Sequence, residues 1–268
     1  MAGKRPIKKF LAFLLPYKTY LRLMNFAFFM AYRTRLLRFI KDGQYFYLIN
    51  KLIKPGFICI DIGANMGHYT VLLSKLVGPQ GKVYAVEPVE PVIDILKYNT
   101  KNYTNVEILP FAIGDKDGQV EMSNLAYLNK GFVSSGTHFI ITDPLQKKKD
   151  VLFIVNMKKG SEVFKNLKRV DFIKCDVEGY EVNVIRELMP IIRKYKPIML
   201  IELWKKNLDK ILSPLESIGY QSFIASGHQK LLPLSDMKES FKGGDILCIH
   251  SDKLAPLLKE GEISIDVA

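Results

Sequence analysis

The run "FICIDIGANMGHYT", Phe57 to Thr70, constrains the fold more than any other stretch of this chain. An apolar strand-like segment stops at Gly63, turns through Asn65 and Gly67, and passes into "HYTVLLSKLV". Apolar residues in that second segment recur at helical spacing up to Gly78. "GKVYAVEP" reads as a second strand, and "PVIDILKYNTKN" as a helix with Pro91 in its first turn. "VEILPFAIG" is a third strand running into a loop. Strand and helix alternating in this order predict a parallel sheet covered by helices on both faces.

The rhythm lapses between Gln119 and Asn156, where short β-like pieces alternate with polar turns and "QKKKD" forms an exposed tip. It resumes with "RVDFIKCDVEG" as a fourth strand, a helix from Tyr180 to about Met189, "KPIMLIEL" as a fifth strand, and "LDKILSPLESIG" as a helix. "YQSFIAS" and "DILCIHS" have no helix between them, which predicts an antiparallel finish. The 268 residues suffice for one large domain with an appendage. The expected division is a helical extension over 1–50, broken near Pro16, and a main domain over 51–268 with 119–156 inserted.

Charge is unevenly placed. Residues 1–54 hold twelve Lys and Arg against Asp42 alone, which is +11 of the +12 carried by the whole chain. Such a segment seeks anions: a phospholipid surface, nucleic acid or an acidic partner face. Lys18, Arg22 and Asn25 recur at i, i+4 and i+7, and predict a polar stripe facing away from Leu21, Met24, Phe28 and Tyr32. That pattern suits a helix in a membrane interface, or one packing its aromatic face on the main domain. The same three polar residues interrupt any span from Phe10 to Tyr32, and no small-residue cleavage site follows "FLAFLLPY" promptly. Cys59, Cys175 and Cys248 lie in apolar runs without metal-ligand spacing, so buried free thiols in a reducing, cytoplasmic setting are expected.

In an open parallel sheet, ligands sit beyond the carboxyl ends of the strands. Asp61 to Gly67 occupies that place after the first strand, and Glu87 ends the second strand, 20 residues past Gly67. An acidic residue there accepts ribose hydroxyls. A G-x-N-x-G turn offers few glycines to a pyrophosphate, and Asp61 repels phosphate while attracting an amino group. A ligand with a ribose, a cation and no phosphate fits better than NAD, and S-adenosylmethionine has those features.

"IDIGANMGHYT", "VYAVEP", "ILPFAIGDKDG", "VDFIKCDVEGYE" and "PIMLIEL" resemble, in this order, the FkbM-type methyltransferases, and "NKGFVSSG" is similar to that family's middle segment. The resemblance covers about residues 50–250 and leaves residues 1–45 unexplained. It implies a doubly wound, mostly parallel seven-stranded sheet of the class I methyltransferase type with an antiparallel last strand. It also implies methyl transfer to oxygen, commonly on a sugar or polyketide hydroxyl. Carried onto this sequence, Gly63, Ala64, Asn65 and Gly67 line the methionine and ribose portion of the cofactor. Asp61 stands near its amino group, Glu87 holds the ribose hydroxyls, Ala112 and Ile113 abut adenine, and Thr70 supports the turn.

"DVEGYE" places Asp176, Glu178 and Glu181 just past the fourth strand, beside the first strand's turn. A carboxylate there can take the proton an alcohol loses on methylation, and Asp176 is the first choice for that role. Glu178 and Glu181 carry two readings, chemistry and capping of the helix that follows. Glu202, ending the fifth strand, either faces the acceptor or pairs with Lys174. A Mg²⁺ site built from these carboxylates is a subordinate reading, and Trp204 is read as core before acceptor wall. The sequence thus points to methylation of a hydroxyl-bearing glycan or small molecule, with residues 1–45 docking on an anionic membrane. The rivals are an RNA or protein methyltransferase and a non-catalytic cofactor-binding scaffold. Charge confined to one end disfavours a nucleic-acid groove along the catalytic face.

Overall fold

The computed structural model describes residues 10–11, 14–39, 43–124, 138–141, 151–227 and 229–266. Its centre is the predicted alternation. β1 (Ile58–Ile62), β2 (Lys82–Val86) and β3 (Val106–Leu109) are parallel, and α3 (His68–Val77) and α4 (Glu90–Thr100) connect them. Ahead of them lie α1 (Tyr17–Arg33) and α2 (Gln44–Leu52). β8 (Phe172–Cys175) pairs with β1 on the other side, and β9 (Ile198–Trp204) pairs with β8, both parallel. The chain therefore reverses direction across the sheet between β1 and β8, and the crevice at such a switch point is where open α/β sheets bind ligands.

The sheet is two strands wider than the seven expected, in the order β13-β11-β10-β12-β9-β8-β1-β2-β3. β12 (Gly243–His250) runs antiparallel to both β9 and β10 (Tyr220–Ala225), as the helix-free link predicts. The extra strands β11 (Lys230–Pro233) and β13 (Ser264–Ile265) are only four and two residues long, too short for an alternation to register. "VEILPFAIG" is not one strand. Pro110 has no N–H to continue the ladder, and β4 (Ala112–Gly114) leaves to join a second sheet of order β4-β7-β5-β6. The stretch where the alternation lapses supplies its other strands: β5 (Gly118–Asn124) and β7 (Val151–Lys159) pair antiparallel, with β6 (His138–Ile140) at the edge of β5. "NKGFVSSG" and "QKKKD" lie outside the described residues.

Alternation along the strands sorts side chains to two faces. Ile60, Ile62, Ile173, Cys175, Met199 and Ile201 point to a core closed by α5 (Glu181–Tyr195) and α6 (Leu208–Glu216). Cys59, Val83, Phe172, Leu200 and Leu247 point to the other, closed by α2, α3 and α7 (Ser251–Lys259). α5 runs past the predicted stop at Met189 because Pro190 sits exposed while Leu188, Ile191 and Ile192 are buried. Their packing outweighs the roughly 3 kcal/mol that an internal proline costs. All three cysteines are free and buried, and burial pushes their thiols up.

The N-terminal helix packs Phe28 and Tyr32 on the main domain, as one of its two expected readings has it, with one departure from the expected polar stripe. Asn25 belongs to no outward polar stripe: it donates to Asn99 Oδ1 at 2.9 Å on α4. Phe28 stacks on His68 at 3.8 Å and meets the Phe46 ring edge-on. The outward face is instead largely apolar, with Leu23, Phe26 and Met30 exposed. Trp204 likewise is half exposed, its ring over Gly243 and not in the core.

Candidate active site

The site forms because period-two alternation puts a row of charge at one end of an apolar face. Phe172, Lys174 and Asp176 are alternate residues, so the latter two project to the α2–α3 side, beyond the hydrophobic layer. Lys174 lies directly opposite Asp61 in the β1–β8 register, and Glu202 lies opposite Asp245 in β9–β12. The Lys174 ammonium is 3.0 Å from Asp176 Oδ2 and 4.0 Å from Asp61 Oδ1. Burial opposes its charge, but Asp176, Asp61 and Asp245 outweigh that and raise its pKa. Burial also disfavours ionised Asp176, yet Lys174 and a hydrogen bond with Glu202 hold it below the usual carboxylate range. Glu202 moves the other way: burial, then the neighbouring Asp176 charge, push it up. The two neighbouring carboxyls are thus driven in opposite directions, Asp176 down and Glu202 up. Glu178, pushed up to about 7 by burial and by Asp176 and Glu181, brings an oxygen within 4.8 Å of both.

The turn after β1 lies alongside. Asp176 N–H donates to Ile62 O at 3.1 Å, and the N–H groups of Gly63 and Ala64 donate to Val86 O at 3.0 and 2.9 Å. Gly63 has φ +75, and a Cβ there would meet Asp176 O at 1.8 Å, so glycine is required by the neighbouring strand end. Gly67, at φ +88, has its space taken by Leu96. Glu87 is buried and accepts from Asn65 N–H and Val89 N–H, each at 3.0 Å. Burial pushes it up to about 7 despite those bonds.

A cleft of about 690 Å³, counting space open to solvent, joins these elements. Its wall brings together Gly63, Asn65, Glu87, Ala112, Ile113, Asp176 and Glu178. Glu202 meets the wall through Asp176. Asp61, Ala64, Gly67 and Thr70 stand behind the wall. Asp61 is fully buried and accepts from Thr70 Oγ1 at 2.6 Å, while Ala64 packs with Ala85 and Leu96. Glu181 is buried and accepts from Val177 and Gly179 N–H, which selects capping over chemistry for that residue.

The sequence reading gave no site role to Met122 and Ile140, which the second sheet contributes to the wall, nor to Pro88 and Tyr180. Tyr180 was visible within "DVEGYE", and its hydroxyl donates to Asp115 Oδ1 at 3.1 Å. Lys174, read from the sequence only as a partner for Glu202, pairs instead with Asp176 and Asp61.

The model of the "Methyltransferase FkbM domain" matches residues 61–222, well over half of the chain. Two curated relatives are similar over shorter stretches. A protein-L-isoaspartate O-methyltransferase of Caenorhabditis elegans is 23% identical over 130 residues, 47% of this chain and 57% of that protein. One of Methanosarcina mazei is 41% identical over 59 residues, 21% and 24% respectively. The chain thus spans little more than half, or less, of the length of these relatives. Among solved structures, an FkbM methyltransferase of Methylobacillus flagellatus is 15% identical with a TM-score of 0.47, covering 91% of this chain and 58% of that one. With the family model spanning both strand-end turns of the cleft, the chain belongs to the FkbM family of S-adenosylmethionine-dependent methyltransferases.

Proposed function

We propose that this chain transfers the methyl group of S-adenosylmethionine to a neutral hydroxyl, on a sugar, glycan or glycosylated product. One observation carries the reading: the described residues of the cleft wall include Glu87, Asp176 and Glu178 and no Lys or Arg. Such a wall attracts a cation and repels a pyrophosphate, a phosphodiester or an anionic acceptor. It supports a sulfonium nucleoside as donor and a hydroxyl, in preference to a carboxylate or nucleic acid, as acceptor.

The residues present fit the donor. Glu87 spends one bond of each oxygen on backbone N–H groups, which leaves lone pairs for two ribose hydroxyls. Gly63 and Asn65 border the same space, and Ala112 and Ile113 give an apolar surface for a base. When bound, the donor supplies an electrophilic methyl carbon. The protein's part is to hold the acceptor oxygen in line and to receive its proton. Asp176, kept ionised by Lys174, is the acceptor of that proton, and Glu202 orients it by the shared hydrogen bond. Asp61 and Thr70 hold the turn from behind. Lys174 already supplies the positive charge that Asp176 needs, so no metal is part of this reading.

The acceptor wall extends to Met122 and Ile140 of the second sheet, in keeping with specificity set by inserted segments. The basic N-terminal segment supports a peripheral place on a membrane, and three buried free thiols support its reducing, cytoplasmic side. The test is incubation with labelled methyl donor and separated glycan, lipid, RNA and protein fractions. Label in a carbohydrate-bearing fraction, stable to base, supports the reading. Base-labile label in protein, or label in RNA, contradicts it.

A further inference from the structure

We propose that the outward face of α1 is a membrane-docking surface, which lies flat on an anionic lipid bilayer. This rests on the peripheral localisation above and gives it a specific surface. Leu23, Phe26 and Met30 recur at i, i+3 and i+7 on α1, and Leu36 and Phe39 are also exposed on the 3₁₀ turn that follows. Phe26 is 63% exposed and Phe39 74%. Large apolar side chains exposed elsewhere among the described residues, such as Ile154, Trp204 and Leu258, are scattered singly. A contiguous apolar ridge marks an interaction surface, where scattered residues do not.

Charge selects the occupant. Arg33, Arg35 and Arg38 are exposed at the end of α1 and on the turn after it, Arg22 is exposed over the Tyr98 ring, and residues 1–41 contain no Asp or Glu. A second copy of the chain would bring two such arginine sets together, whereas an anionic headgroup layer complements them. The helix also has the length for lying on a bilayer and not for spanning it: 17 residues reach only about 25 Å. No described helix is long and apolar enough to cross a membrane.

The opposite face is fixed to the body. Phe28 stacks on His68 at the start of α3, and Asn25 bonds Asn99, which donates to Met66 O at 2.7 Å within the turn after β1. Docking would therefore hold the site's own turn against the lipid surface, with α1 between them.

The test is flotation of the full chain with phosphatidylcholine vesicles and with vesicles of equal phosphatidylcholine and phosphatidylserine. The wild type is expected to float with the mixed vesicles and at least about tenfold less with phosphatidylcholine alone. Phe26→Asp/Met30→Asp and, separately, Arg33→Glu/Arg38→Glu should each reduce flotation about tenfold, with thermal midpoint and S-adenosylhomocysteine affinity unchanged. If the wild type floats and the variants float equally, this surface is wrong while peripheral localisation stands. If the wild type floats with neither vesicle, both fall. Self-association of the wild type, abolished by Phe26→Asp/Met30→Asp, would assign the face to a second copy and overturn the proposal.

Discussion

Lys174→Met isolates the feature on which the charge layout of the site depends. The residue is 3% exposed, with its ammonium 3.0 Å from Asp176 and 4.0 Å from Asp61. Methionine keeps the stem volume and removes the charge. Deleting one member of a buried ion pair costs about 3–5 kcal/mol, because the remaining charge is stranded. For a chain of this size each kcal/mol lowers the thermal midpoint by about 2–4 °C, which predicts a loss of about 6–20 °C. The pH dependence follows from direction. In the wild type Asp176 is held below its ordinary value, a contribution present at neutral pH and lost as pH falls through that lowered value. Without Lys174, burial pushes Asp61 and Asp176 up, so the variant's penalty is largest at high pH and is relieved as they take up protons. The gap between the two proteins should therefore narrow from about pH 8 to pH 5, read by circular-dichroism melts. A variant melting within about 2 °C of wild type, or a gap constant across that range, would refute the ion-pair account.

Other substitutions test separate parts of the site. Glu87→Ala should weaken S-adenosylhomocysteine by about 1.5–3 kcal/mol, roughly 10- to 100-fold by calorimetry. Since Glu87 is pushed up to about 7, wild-type affinity should fall as pH drops below about 7 and the carboxylate protonates, while Glu87→Gln shows a flat profile. Asp176→Asn should lower methyl transfer by about 10²- to 10⁴-fold with S-adenosylhomocysteine affinity retained, and equal loss of both would make it a binding residue. Tyr45→Phe removes a hydroxyl that donates to Asp245 O at 2.5 Å and accepts from Ala225 N–H at 3.1 Å. It should cost about 1–3 kcal/mol in urea unfolding.

The parallel centre of the sheet was legible because β1, β2, β8 and β9 are apolar runs closed by turn residues, and α3 begins and ends at the glycines that bound it. Pro110 was equally visible, but nothing local says that β4 will pair with β7, some 40 residues on. The short strands β11 and β13 carry no period of their own. In the site, Glu87 and Asp176 could be placed because each ends a strand beside the switch point. Lys174 follows from parity only once Asp61 is known to lie opposite it, which is a matter of register. In α1 the inward aromatic face was legible from Phe28 and Tyr32, and Asn25 was not, because it looks like a surface residue by type. Its partner Asn99 is 74 positions away, and nothing local signals that contact.

Calorimetry with S-adenosylhomocysteine and NAD in parallel tests the central claim most directly. An acidic cleft wall built for a phosphate-free nucleoside predicts saturable heat with S-adenosylhomocysteine and none with NAD. Saturable binding of NAD with no signal from S-adenosylhomocysteine would contradict it.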